Sequence, residues 1–221
     1  MQTSTHFEKI ISGIGGAIAI GAVFWLTRLG GMEMGAKALF VASFGATAVL
    51  LFAAPHSPLA HPWNVIGGHG VSALIGVVMH HLIADPVLGG ALTAGLAITA
   101  MYYLRALHPP GGATSLIPLI GGAAADDYGW LFVLFPVLAG AVLIVLIATA
   151  FNWPFAWRRY PQALMKRVRI RRDPACPYPD ITHADFVAAL SQLDTYVDIS
   201  EEDLLRIYEL ACKRRHPALE E

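Results

Sequence analysis

Charge is scarce along most of this 221-residue chain. Only 14% of its residues are Asp, Glu, Lys or Arg, against about 25% in a soluble domain. Between Ile10 and Trp157 there are seven: Arg28, Glu33, Lys37, Asp85, Arg105, Asp126 and Asp127. Cysteine is scarcer, with Cys176 and Cys212 alone, both after the apolar part. Two cysteines exclude a disulfide scaffold and suit thiols in a reducing compartment. Without a soluble fold carrying a basic face, a nucleic-acid partner is excluded. The first residues, Met1 to Lys9, are too few and too weakly basic for a transit peptide, so the first apolar stretch is read as a retained helix.

What is present is apolar sequence in span-sized runs. A bilayer core needs about 20 apolar residues per helix. Residues 10–27 give one run. Residues 38–84 are uncharged throughout, enough for two helices with a turn across Pro55 to Asn64, where three prolines and two histidines fall. Residues 86–104 give a fourth span and Trp130 to Phe151 the last. Between them, Ala106 to Ala125 is apolar but broken by Leu-His-Pro-Pro-Gly-Gly. Helix is expected there only from Gly111 or Gly112 to Gly121, about half a bilayer in length. The expected fold is an all-α membrane protein of about five full transmembrane helices plus one short half-helix. Residues 1–157 form the membrane domain, and 158–221 a basic juxtamembrane segment with a small helical tail.

An internal echo suggests a 3+3 inverted repeat. Gly45-Ala-Thr-Ala-Val-Leu50 recurs 67 residues later as Gly112-Ala-Thr-Ser-Leu-Ile117, and each copy is followed after eighteen residues by a tryptophan, Trp63 or Trp130. An odd number of crossings lies between the copies, which gives them opposite orientations, a common transporter plan. Small residues common to membrane helices would also produce such an echo. The basic cluster from Arg158 to Arg172 places the tail, and with six crossings the N-terminus, in the cytoplasm; a bacterial inner membrane is the expected location. In the tail, Thr182 and Ser200 head two short amphipathic helices without a catalytic motif.

The chemistry concentrates at His108-Pro109-Pro110-Gly111-Gly112-Ala113-Thr114-Ser115. Prolines fix an extended approach, glycines uncover the following amides, and a helix starting here offers free N–H groups and a positive dipole end. Thr114 and Ser115 add hydroxyls and His108 a titratable donor. Such a group inside a membrane suits an anion. The plainer alternative is that His108 caps the backbone and the glycines allow close packing.

This His-Pro-Pro motif followed by Gly-Gly-Ala-Thr, among short apolar helices, closely resembles the HPP family of integral membrane proteins. The resemblance covers the membrane part. Cyanobacterial and plastid members are implicated in nitrite transport, so it implies transport of nitrite or a similar small monovalent anion. No cofactor is expected.

Other residues are weighed against that site. Ser43, Gly45 and Thr47 belong to the first copy, where Val41 stands in place of His108; they either face the same cavity or pack at a helix crossing. His69, after Gly67-Gly68 in a span, either relays protons or bonds to a neighbouring helix. The remaining histidines lack chelating spacing, so no metal site is expected. Arg105 lies three residues before His108, on one face if the helix persists, and otherwise reaches for headgroups. The partners expected are a small inorganic anion, the lipid bilayer and a second copy in a homodimer. Two rivals stay open: an intramembrane enzyme using Ser115 and His108, and a non-transporting scaffold or sensor working through its tail.

Overall fold

The computed structural model describes residues 5–32, 34–121 and 128–161. The two tail helices expected from Thr182 and Ser200 lie outside them. The described residues form an all-helical bundle with five helices long and apolar enough to cross a membrane and a sixth, shorter one.

Helix α1 spans His6–Leu29 and is capped by Thr5, whose hydroxyl accepts from the Glu8 amide at 3.2 Å. It buries Ile11, Gly15, Ala19, Val23 and Thr27 at intervals of four, one helical face. Ile10, Ile14, Ile18 and Trp25 stay exposed on the rest of its surface, as a helix solvated by lipid requires. Helix α2 spans Met34–Ala53 and stops ahead of Pro55. A 3-10 turn, Pro58–Ala60, leads to α3, Pro62–Leu82, and Asp85 caps α4, Pro86–Tyr103, by accepting from Leu88 N at 2.7 Å.

The short helix α5 spans Pro109–Ile120. It begins two to three residues before the expected Gly111 or Gly112. Pro109 and Pro110 occupy its first turn, where a missing N–H costs nothing and the fixed φ is already helical. Twelve residues make about 18 Å of helix, roughly half of a bilayer. The last span, α6, covers Val133–Asn152. Helical backbone begins just ahead of it at Leu131, one residue from the expected Trp130, and the helix is broken near its start. Phe135, ahead of Pro136, is extended at φ −137° and ψ 124°.

The ends of the bundle sort into two faces. One carries Glu8, Phe52, Leu59 to Asn64, Leu104 to Leu107 and Asn152 to Tyr160. The Trp63 indole donates to Leu104 O at 3.2 Å, the Asn64 amide to Leu107 O at 3.0 Å, and the Tyr160 hydroxyl to Ala60 O at 2.8 Å. Burial pushes the Tyr160 phenol above its usual range, so it stays a donor. On the opposite face the Tyr128 hydroxyl donates to Gly30 O, and Gly121 lies against Gly35. Both termini of the membrane unit therefore share a face, as six passages require. Arg158, expected as the first residue of the basic tail, is instead buried in the bundle at 1% exposure. It donates to Phe52 O at 2.6 Å, Asn152 Oδ1 at 2.9 Å and Glu8 Oε1 at 3.0 Å. Burial lowers its pKa while the Glu8 carboxylate opposes the shift.

Helices α3 and α5 pack most extensively of all. Their seam is lined by Gly68, Ser72 and Gly76, one face of α3 at four-residue spacing. A Cβ on Gly68 would lie 2.6 Å from the His108 Cβ and 2.8 Å from Ala106 O; one on Gly76 would run into the Ser115 carbonyl and lie 3.1 Å from Pro118. Glycine here lets α5 lie directly on the backbone of α3.

Candidate functional site

Five side chains from three helices form one polar cluster in this apolar interior. Ser43 and Thr47 come from α2, His69 from α3, and His108 and Thr114 from the start of α5. All but Ser43, at 2%, are wholly buried. The Ser43 hydroxyl lies 2.7 Å from Pro110 O and 2.8 Å from Thr114 Oγ1. His69 is held between two threonines, with Nε2 2.8 Å from Thr47 Oγ1 and Nδ1 2.7 Å from Thr114 Oγ1. Thr47 also reaches His108 Nε2 at 2.9 Å, and His108 Nδ1 lies 3.0 Å from the Leu59 carbonyl. A carbonyl only accepts, so Nδ1 carries the proton of neutral His108 and Nε2 its lone pair. Phe44 stacks on His69 with ring centres 4.4 Å apart and planes at 11°.

The two copies of the sequence echo meet at this cluster. Thr47 and Thr114 are 67 residues apart and hydrogen bond with opposite nitrogens of one imidazole. Helix α2 runs toward the face that carries Leu59 and α5 runs away from it, so the copies are antiparallel.

The other expected site residues divide. Gly111 packs on α3, 2.9 Å from Gly68 O and 3.0 Å from Ser72 Oγ measured from its Cβ position, and its amide donates to His108 O at 2.8 Å. That amide, expected to be free for an anion, is therefore occupied. Ser115 is buried and donates to Gly112 O at 2.7 Å. Both His108 nitrogens are engaged elsewhere, so Ser115 and His108 do not meet as nucleophile and base. Gly45 and Gly112, the equivalent glycines of the two copies, face away from the cluster, with nothing within 4 Å of either Cβ position. Ala113 is exposed. His108 is the residue preceding α5, but its ring makes no capping bond. Arg105 lies beyond the end of α4 at φ 51° and is exposed, while His108 is buried, so the two share no face.

Sequence reasoning missed Ser72. It follows His69 by one helical turn and is wholly buried, and its hydroxyl has no partner among the described residues. The small residues at positions 68, 72 and 76 were the available signal. The carbonyls of Leu59 and Pro110 carry no signal in sequence at all.

Two transmembrane proteins of Dictyostelium discoideum are similar to this chain. One is 39% identical over 127 residues, 56% of this chain and 44% of its own length; the other is 40% identical over 123 residues, 54% and 39% respectively. The chain thus spans less than half the length of these relatives. No solved structure matches it. The family model described as the HPP transmembrane region matches residues 1–161, which include all the described residues of the bundle and its polar cluster, and the chain belongs to the HPP family of integral membrane proteins.

Proposed function

We propose that this protein carries a small monovalent anion across the membrane, nitrite by its family resemblance, and binds it where α5 begins. The observation that carries this reading is the convergence of Ser43, Thr47, His69, His108 and Thr114 around the first turns of α5, joined by hydrogen bonds deep within a mainly apolar bundle. Buried polar groups in a membrane are costly to keep, and they gather where solutes pass. The cluster lies beside the first turns of α5, near the positive end of its dipole. With the Gly111 amide and both His108 nitrogens already bonded, the donor left over beside the cluster is the Ser72 hydroxyl, which has no partner among the described residues. A site of hydroxyl and imidazole groups with no bonded lysine or arginine suits a small, weakly hydrated anion. The cluster is sealed in this conformation, so passage requires the surrounding helices to part.

The test is nitrite flux into proteoliposomes at several pH values, with leak of nitrous acid through bare lipid subtracted. Native protein is expected to exceed empty vesicles, and His108→Ala to fall at least about tenfold, equivalent to about 1.4 kcal/mol. Native flux equal to that of empty vesicles, with folded protein, removes nitrite as the substrate. Ser72→Ala is expected to keep or raise thermal stability, because it deletes a buried hydroxyl that has no partner among the described residues. The same change is expected to weaken nitrite binding. Stability that falls together with binding would make Ser72 a structural residue.

A further inference from the structure

Six short contacts run in a single line through the polar cluster. In order they join Leu59 O, His108, Thr47, His69, Thr114, Ser43 and Pro110 O, at 3.0, 2.9, 2.8, 2.7, 2.8 and 2.7 Å. Both ends are carbonyl oxygens, which accept and never donate. Between them stand three hydroxyls and two imidazoles, and each neutral group brings one proton. Five protons cannot fill six contacts. In the neutral chain one contact must therefore set lone pair against lone pair. The longer approaches, Thr47 to Ser43 O and Thr114 to Pro110 O, both 3.4 Å, draw on the same hydroxyl protons and leave the count unchanged.

One added proton completes the line, and it has two equivalent places. On His69 it leaves Thr47 donating to His108; on His108 it leaves Thr47 donating to His69. The two forms differ only in the Thr47 hydroxyl and in which Nε2 bears hydrogen. Every other bond stays as it is, with His108 Nδ1–H on Leu59 O at one end and Ser43 on Pro110 O at the other. The ring centres are 4.9 Å apart, and the face of Phe44 lies on His69, where it favours a cation.

We infer that the cluster takes up one proton with each anion, shared between His69 and His108 through Thr47, so that transport is one-to-one proton–anion cotransport. This rests on the anion reading above. The proton comes from water at the face where the anion enters and leaves with it at the other. Among the described residues no charged side chain offers a substitute counter-ion. The groups that face the two rings are Ser43, Phe44 and Thr47 from α2, Thr114 from α5, Gly68 from α3 and the Leu59 carbonyl. Among the described residues no Asp, Glu, Lys or Arg bonds to either ring. Arg105 is exposed at the end of the bundle, and Arg158, Glu8 and Tyr160 are committed to one another or to carbonyls there. A lone cation in such an interior is costly, and a cation with its anion much less so.

Calorimetric titration of the full chain in detergent with sodium nitrite, in two buffers of different ionisation enthalpy at one pH, reads the protons taken up per anion. Native protein and Thr47→Ser are each expected to give about one, since both keep the hydroxyl. Thr47→Val cuts the line into two pieces, each with as many protons as contacts, so uptake per bound nitrite should fall toward zero. Ser43→Ala ends the line at Thr114 with the same result and serves if Thr47→Val fails to fold. Nitrite binding by native protein without proton uptake overturns the inference and leaves the anion site standing. So does uptake unchanged in both hydroxyl deletions. No nitrite binding by the native chain overturns the anion reading, and cotransport of nitrite with it.

Discussion

Replacing Arg158 by alanine is expected to cost about 3–5 kcal/mol and to lower the melting temperature by about 10 °C. The guanidinium is 1% exposed and joins four parts of the chain: Glu8 of α1, the last turn of α2 through Phe52 O, Asn152 at the end of α6, and its own turn. Trp157 reinforces the same knot by donating to Glu8 Oε2 at 2.9 Å. Alanine would leave Glu8 Oε1, the Asn152 amide oxygen and the Phe52 carbonyl without the guanidinium donor, with only the Trp157 indole still on Glu8. Lysine keeps the charge but loses the planar fork, so Arg158→Lys should melt between native and alanine. Fluorescence-monitored melting in one detergent separates the three. An alanine variant that melts with the native protein would show that water at the membrane face replaces the guanidinium without loss.

The second large effect is expected at Gly76. A methyl group there runs into the Ser115 carbonyl, which is backbone and cannot swing aside, with Pro118 at 3.1 Å behind it. Gly76→Ala must therefore push α5 off α3, at a cost near the upper end of the about 1–3 kcal/mol usual for overpacking. Gly68→Ala meets the His108 Cβ and Ala106 O instead, so it should disturb nitrite binding as well as stability. Gly95→Ala is the control: nothing lies within 4 Å of its Cβ position in α4. It should be neutral or gain up to about 1 kcal/mol from the better helix former. Melting curves of the three variants test the seam. If Gly76→Ala matched Gly95→Ala, α3 and α5 would have to pack less closely than described.

The spans were legible because a bilayer imposes one length and one polarity on every crossing. The turn at Pro55 to Asn64 and the short helix after His108 followed from proline and glycine alone. The start of α5 was misjudged for a physical reason: Pro109 and Pro110 were read as breakers, although proline is at home in a first turn. The interruption at Phe135 passed unnoticed although Pro136 stood in the sequence. The 67-residue echo drew attention to Ser43, Thr47 and Thr114, which the structure brings into one hydrogen-bonded group. It also selected Gly45 and Gly112, which the helix turns outward. Nothing in a linear pattern shows that His69 bridges the two threonines, because that depends on α3 lying between α2 and α5. Arg158 was read as a tail charge because the residue that neutralises it, Glu8, is 150 positions away.

The depth of His69 has an electrical consequence. It lies seven residues from Pro62 and thirteen from Leu82 along α3, about 10 and 20 Å from the two ends. If voltage falls evenly along the helix, a charge reaching His69 from the Pro62 side crosses about one-third of the field, and from the other side about two-thirds. A potential of about 100 mV then weighs on a lone anion by about 0.8 kcal/mol on the short leg and about 1.5 kcal/mol on the long one. A proton travelling with the anion cancels both.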